Sequence, residues 1–324
     1  MRVQNVQKKE IPSSTFQSFP SQEDEIDLIE LGGAIWEGKW LIICTIFIFA
    51  LSSVYYALSI PDEYKSTALL APASSSSSNP MAGLAGQFGG LASLAGVNLG
   101  GVSGGDKATI AIELMHTWGF LETFIESNQL EVEVLAVKGW DKVNKELIIN
   151  EALYSSKTDS WVTDSVASLE GTSFIPSSWA LFNQIKNRIT VSRDKKTGLI
   201  SLSVEHFSPA IAKKWVDLLI VAINKHMQLQ DRLDALNSIE YLKEQINKTD
   251  IAEMRTIFYQ LIEEQTKTLM LAEISDEYVF KTLSSSKVAE QKSKPKRALV
   301  VFLGVLLGGM LSLSVVLFRY FIKK

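Results

Sequence analysis

Two uncharged apolar runs, residues 40–60 and 298–318, constrain this chain more than any motif in it. Each is about 20 residues long, enough at about 1.5 Å per residue to cross a hydrocarbon core of about 30 Å. The pair places both termini on one side of a membrane and the middle of the chain on the other. The expected organisation is an N-terminal tail (1–39), a first span (40–60), a base domain (61–208), a helical extension (209–275), a return strand with linker (276–297), a second span (298–318) and a short tail (319–324). The first run follows 39 polar residues and has no basic stretch immediately before it, so it reads as a retained signal-anchor rather than a cleavable signal.

Charge does not fix the orientation. Arg319, Lys323 and Lys324 follow the second run, whereas Lys292, Lys294, Lys296 and Arg297 precede it. Loop charge loses force when the intervening domain is this long. The formal net charge of -4 carries no nucleic-acid footprint. The one cysteine, Cys44, lies inside the first run, so a disulfide cannot staple the domain, which must be held by packing.

The middle mixes strand and helix signals, and the fold class it predicts is a membrane-anchored α+β protein. Residues 64–70 alternate as a strand. Residues 109–126 have helical spacing, with Ile112, Met115, Phe120 and Phe124 on the buried face. Ser177 or Ser178 caps a helix reaching Asn187. Residues 189–192 and 199–204 flank a polar turn ending in Gly198 and read as a β-hairpin. Residues 71–105 are built almost wholly of small residues and leucines. They suit either a mobile loop or a packed loop at a subunit interface.

Ser208-Pro209 opens a helix, and from Ala210 to Lys294 there is neither Gly nor Pro. Leu229, Leu233, Leu236, Ile239, Leu242 and Ile246 recur at spacings of three and four and predict the packing stripe of a helical arm. The helical residues sum to about 100 Å of helix. Asn247-Lys248-Thr249-Asp250 is the polar break, with Asp250 and Glu253 starting a second helix, so a helical hairpin is favoured over an unbroken rod.

Chemistry is harder to find. His116, His206 and His226 are scattered, no metal-binding spacing occurs, and no paired carboxylates nominate themselves, so no catalytic, cofactor or metal residue is assigned. The stretch around Gly104-Gly105-Asp106-Lys107 has a phosphate-loop look, but Asp106 breaks the required ending and would repel phosphate. In the second run, Gly304, Gly308 and Gly309 form a face that admits close approach of another helix, and Pro295 sets the angle at which the chain enters that run.

The segments Ile26-Asp-Leu-Ile-Glu-Leu, Trp36, Lys39-Trp-Leu-Ile-Ile and Tyr56-Ala-Leu-Ser-Ile-Pro61 resemble the N-terminal part of Wzz-type chain-length determinants. Ser238-Ile-Glu-Tyr-Leu, Leu261-Ile-Glu-Glu-Gln265, Met270-Leu-Ala and Glu277-Tyr-Val-Phe resemble that family's arm and return strand. Lys294-Pro-Lys-Arg-Ala298 resembles its C-terminal boundary. The resemblance implies a polysaccharide co-polymerase of the bacterial inner membrane, with both termini cytoplasmic and a periplasmic α/β base bearing a long helical projection. It also implies a ring-shaped homo-oligomer that sets the modal length of O-antigen, or of a related glycan, made by a Wzy-type polymerase. The growing polysaccharide is a further expected partner, and no cofactor is implied. With no phosphate loop and an end at Lys324, the chain resembles the kinase-free branch. The alternatives are a capsule or exopolysaccharide export co-polymerase working with a separate tyrosine kinase, and a two-span periplasmic sensor.

Overall fold

A computed structural model describes residues 36, 38–73, 104–162 and 176–323. Most of the N-terminal tail, including the Ile26–Leu31 segment, and most of the 71–105 stretch lie outside them. The chain divides into two compact units, residues 1–55 with 301–324 and residues 56–300.

The first unit contains most of α1 (Lys39–Ser59) and most of α8 (Arg297–Lys323). The second unit is built on a four-stranded antiparallel sheet in the order β6-β7-β1-β8. Its strands are β1 (Tyr64–Pro72), β6 (Ile189–Arg193), β7 (Ile200–His206) and β8 (Phe280–Ser284). Along β1 the residues Tyr64, Ser66, Ala68 and Leu70 are buried on one face, and β7 answers with Ile200, Leu202, Val204 and His206. Period-two alternation is what a sheet covered on one face requires. On the opposite face Thr67 and Ser203 stand directly across from each other with their hydroxyls 3.0 Å apart.

The hairpin β6–β7 closes through Asp194, which accepts backbone N–H bonds from Lys196 and Thr197. Gly198 follows at φ +72°, a conformation that costs glycine nothing. The long helix α6 (Pro209–Lys248) lies across the sheet. Its Ile211, Trp215, Val216, Leu219, Ile223 and Met227 are all buried in the main core with Leu70, Leu202 and Phe280.

Residues expected to form one helix over 109–126 form two, α2 (Gly104–Leu114) and α3 (Trp118–Asn128). The helix breaks at Met115–Thr117, where the Thr117 hydroxyl donates back to the Leu114 carbonyl and competes with helix continuation. Met115, Phe120 and Phe124 are buried as the pattern required, whereas Ile112 is half-buried. The short α4 (Glu131–Leu135) and α5 (Ser178–Lys186) complete this layer, and the Ser177 hydroxyl accepts the Ala180 N–H at the start of α5.

Between α4 and α5 stand two small hairpins the sequence did not announce: β2 (Val137–Asp141) with β3 (Glu146–Ile149), and β4 (Tyr154–Ser155) with β5 (Ser160–Trp161). Their strands of two to five residues are too short for periodicity to register. The polar break at the end of α6 is real. After Lys248 the chain turns and α7 (Ala252–Ile274) runs back along α6, with Arg232 reaching Glu273 and Gln228 reaching the Ala272 carbonyl. Asp250 does not cap α7. Ile251 occupies that position without a side-chain bond, while Asp250 pairs with Arg255 at 3.6 Å.

Candidate functional site

Among the described residues no group of three or more His, Cys, Asp or Glu side chains converges to hold a metal ion. His116 is exposed, and His226 meets Phe120 edge-on. His206 is fully buried; its Nδ1 accepts the Ser208 N–H at 3.0 Å, so Nε2 carries the proton and donates to the Glu133 carbonyl at 3.1 Å. Burial, only partly offset by the bond to the Glu133 carbonyl, pushes its pKa down to about 4. A neutral imidazole locked at both nitrogens is an architectural pin joining β7, α4 and the start of α6, and is not poised for proton transfer. Ser208, expected to cap α6 through its side chain, makes no such bond and instead uses its N–H to hold His206. Lys107, from the stretch with a phosphate-loop look, pairs with Asp231 at 2.6 Å.

Among the described residues, a helix pair, a charged junction and the hairpin arm have functional bearing. α1 and the stretch Arg297–Arg319 are each long and apolar enough to cross a membrane. In the first unit they touch through glycine. A Cβ placed on Gly304 would stand 2.5 Å from the Ser53 Cβ, and one on Gly308 would stand 2.7 Å from the Phe49 Cβ. Both are closer than side-chain carbons approach, so the contact needs the missing side chains. Gly309 is different, since its added carbon would meet only Ile46 Cδ1, at 4.0 Å.

In the second unit the chain just after α1 is tied to the chain just before α8. Asp62 receives Lys292 at 3.1 Å, Arg297 at 2.9 Å and Lys142 at 3.4 Å. Burial raises the Asp62 carboxyl, but the three cations outweigh it and hold the pKa below the ordinary 3.8. Alongside, the Glu63 N–H donates to the Lys294 carbonyl at 2.9 Å, and Lys294 Nζ pairs with Glu205 on β7. Pro295 follows a cis peptide bond, and its carbonyl accepts the Arg297 N–H as α8 begins.

The arm divides the expected leucine stripe in two. Ala235 and Leu242 are buried and Ile239 and Ile246 half-buried, a four-three-four spacing directed at α7. Leu229, Leu233 and Leu236 face elsewhere, 52%, 47% and 43% exposed. Spacings of three and four run along more than one row of a helix, and the sequence pattern joined residues from two of them. The side chain that fastens the arm's root is Asn224, buried between α6 and β8, a polar residue that no apolar stripe marks.

Residues 24–127 match the family model described as "Wzz: Chain length determinant protein". The chain carries a Wzz chain length determinant domain. This Wzz match takes in α1, β1, α2 and nearly all of α3. A second match, "G-rich domain on putative tyrosine kinase", covers residues 247–321 and so α7, β8 and most of α8. Among solved structures, similarity is found to a full-length bacterial polysaccharide co-polymerase, at 12% identity over 92% of this chain and 98% of that one, with a TM-score of 0.36. A fragment of WzzB, polysaccharide co-polymerase from Salmonella Typhimurium, is also 12% identical, over 72% of this chain and 100% of that one, with a TM-score of 0.28. No curated protein matches. The stretch between the two family matches, 128–246, holds β2 to β7 and nearly the whole of α6, so the base hairpins and the arm root lie outside either matched region.

Proposed function

We propose that this protein is a non-catalytic regulator that sets the modal chain length of lipopolysaccharide O-antigen, or of a related surface polysaccharide, in Wzy-dependent polymerisation. It does so as a ring-shaped homo-oligomer in the bacterial inner membrane, with residues between the two spans in the periplasm and both termini in the cytoplasm. The observation that carries this reading is the chain length determinant match over 24–127, which includes the first span and the strand β1 at the centre of the sheet. The ion pair of Asp62 with Arg297 supports an anchored base, because it joins the segment that follows the first span to the start of the second within the base unit. The exposed row Leu229, Leu233 and Leu236 supports self-assembly, since the chain itself leaves these side chains in water. A ring would present repeated surfaces to polymerase copies or to the growing polymer. Swapping acidic residues singly and finding an all-or-none loss of glycan synthesis would refute the non-catalytic part.

The G-rich match over 247–321 favours one second reading, a capsule or exopolysaccharide co-polymerase acting with a separate tyrosine kinase. Deleting the gene in its own host and resolving the extracted polysaccharides on a gel separates the two. Collapse of a modal lipopolysaccharide cluster into an unregulated ladder, reversed by complementation, is the expected result. Loss of capsule with an unchanged lipopolysaccharide ladder would establish the second reading, and no change in any glycan would discard both.

A further inference from the structure

Trp118, the first residue of α3, and Trp179, the second of α5, stand side by side with ring centroids 5.1 Å apart and planes inclined at 58°. They are 43% and 53% exposed, in a chain whose Trp215 is completely buried. Phe182 backs both, at 6.1 Å from Trp118 and 5.7 Å from Trp179. The Trp118 Nε1–H donates to the Ser178 Oγ at 3.0 Å, which satisfies the polar tip and fixes the ring. What remains in solvent is aromatic surface held by two helix starts. Next to Trp118, a Cβ added at Gly119 would meet no atom within 4 Å.

We propose that this pair is a stacking platform for sugar rings of a glycan, an inference that rests on the reading of the protein as a regulator of surface-polysaccharide length. A pyranose ring has an apolar face of axial C–H bonds carrying slight positive charge, and an indole face is its electrostatic complement. The ring's hydroxyl edge needs polar neighbours, and His116, Thr117 and Lys186 are exposed beside the aromatic cluster, with Lys186 Nζ 5.0 Å from the Phe182 centroid.

Tryptophans also mark membrane interfaces, but the position within the unit disfavours that use. Phe120, in the first turn of α3, contacts His226, about 25 Å along α6 from Pro209. Asn224, in the same turn of α6, binds Phe280, the partner of Pro72 at the opposite end of β1 from Tyr64 and the Asp62 junction. The platform belongs to the Pro72 end of the sheet, away from the Asp62 junction.

The test is affinity electrophoresis of the full-length protein in detergent, in gels containing polysaccharide released by mild acid from the producing strain. Retardation of the unmodified protein is expected. It should fall about tenfold in Trp118→Ala/Trp179→Ala and survive in Trp118→Phe/Trp179→Phe at an unchanged unfolding midpoint. Should the double alanine variant unfold, Trp179→Gln at the more exposed ring carries the same expectation. No retardation of the unmodified protein, or equal retardation of folded alanine variants, overturns the platform. So does a change in oligomer size or vesicle binding without a change in glycan retention, which would make the pair a contact with a second copy or a membrane. An unchanged ladder after gene deletion would instead defeat the length-regulation reading. A deletion phenotype fully rescued by a folded alanine variant with normal retention defeats the platform alone.

Discussion

Asn224 on α6 grips Phe280 at the start of β8 through both ends of its amide. Oδ1 accepts the N–H groups of Val279 and Phe280 at 2.8 and 2.9 Å, while Nδ2 donates to the carbonyls of Phe280 and Ile220, each at 3.1 Å. The four bonds use the hydrogen-bonding capacity of the side chain and join the arm's root to the strand on which the chain returns. Asn224→Ala would leave two buried N–H groups without their acceptor, so a loss of about 2–4 kcal/mol is expected. Chemical denaturation of the full chain in detergent checks it, and a loss under about 0.5 kcal/mol would show that the clasp is incidental.

Acid should weaken the protein in two stages. His206 titrates at about 4 when folded against 6.5 otherwise, because burial disfavours its cation. The unfolded chain therefore binds the extra proton between those values, and stability falls as pH drops from about 6.5 to 4, by up to about 3 kcal/mol. Asp62 acts later. Its folded pKa lies below 3.8, so its contribution is present above that value and is lost as pH falls through the depressed one. His206→Gln should flatten the first stage and Asp62→Asn the second. Unfolding curves at stepped pH distinguish them, and an unaltered slope between pH 6.5 and 4 in His206→Gln would remove the histidine from the account.

Gly304 and Gly308 should tolerate no side chain, while Gly309 should accept one. Gly308→Leu would drive carbons into Phe49 and Gly304→Leu into Ser53, each expected to cost about 1–3 kcal/mol of helix pairing. Gly309→Ala reaches only ordinary contact distance from Ile46. Thermal stability of the full chain in micelles, with the glycan length distribution beside it, should separate the two leucine variants from Gly309→Ala. Equal behaviour of all three would mean that the contact does not matter in the membrane.

The sequence shows best what periodicity and punctuation encode. The two apolar runs, the β6–β7 hairpin around Gly198, the cap at Ser177 and the break after Lys248 all leave local signatures that survive into the fold. It shows least what depends on residues distant in sequence. Asp62 meets Arg297 across the length of the base, and Asn224 meets Phe280 across the whole hairpin; each is an ordinary polar residue until the fold brings its partner. Trp118 and Trp179 could have been noticed as two tryptophans at helix starts, but their adjacency comes from the packing of α3 on α5.

The split leucine stripe gives the sharpest separation between stability and assembly. Leu242 is buried against α7, and Leu242→Ala should cost about 2–3 kcal/mol through lost burial and an unfilled cavity. Leu233, on the same helix nine residues earlier, is nearly half exposed, so Leu233→Lys should change folding stability by less than about 0.5 kcal/mol. If the row Leu229, Leu233 and Leu236 joins one copy to the next, the lysine variant should lower the oligomer size seen by light scattering in detergent and blur the modal glycan cluster, while Leu242→Ala shifts the melt first. A Leu233→Lys protein with normal size and a normal cluster would exclude that row from assembly and move the search to the sheet edges at β6 and β8.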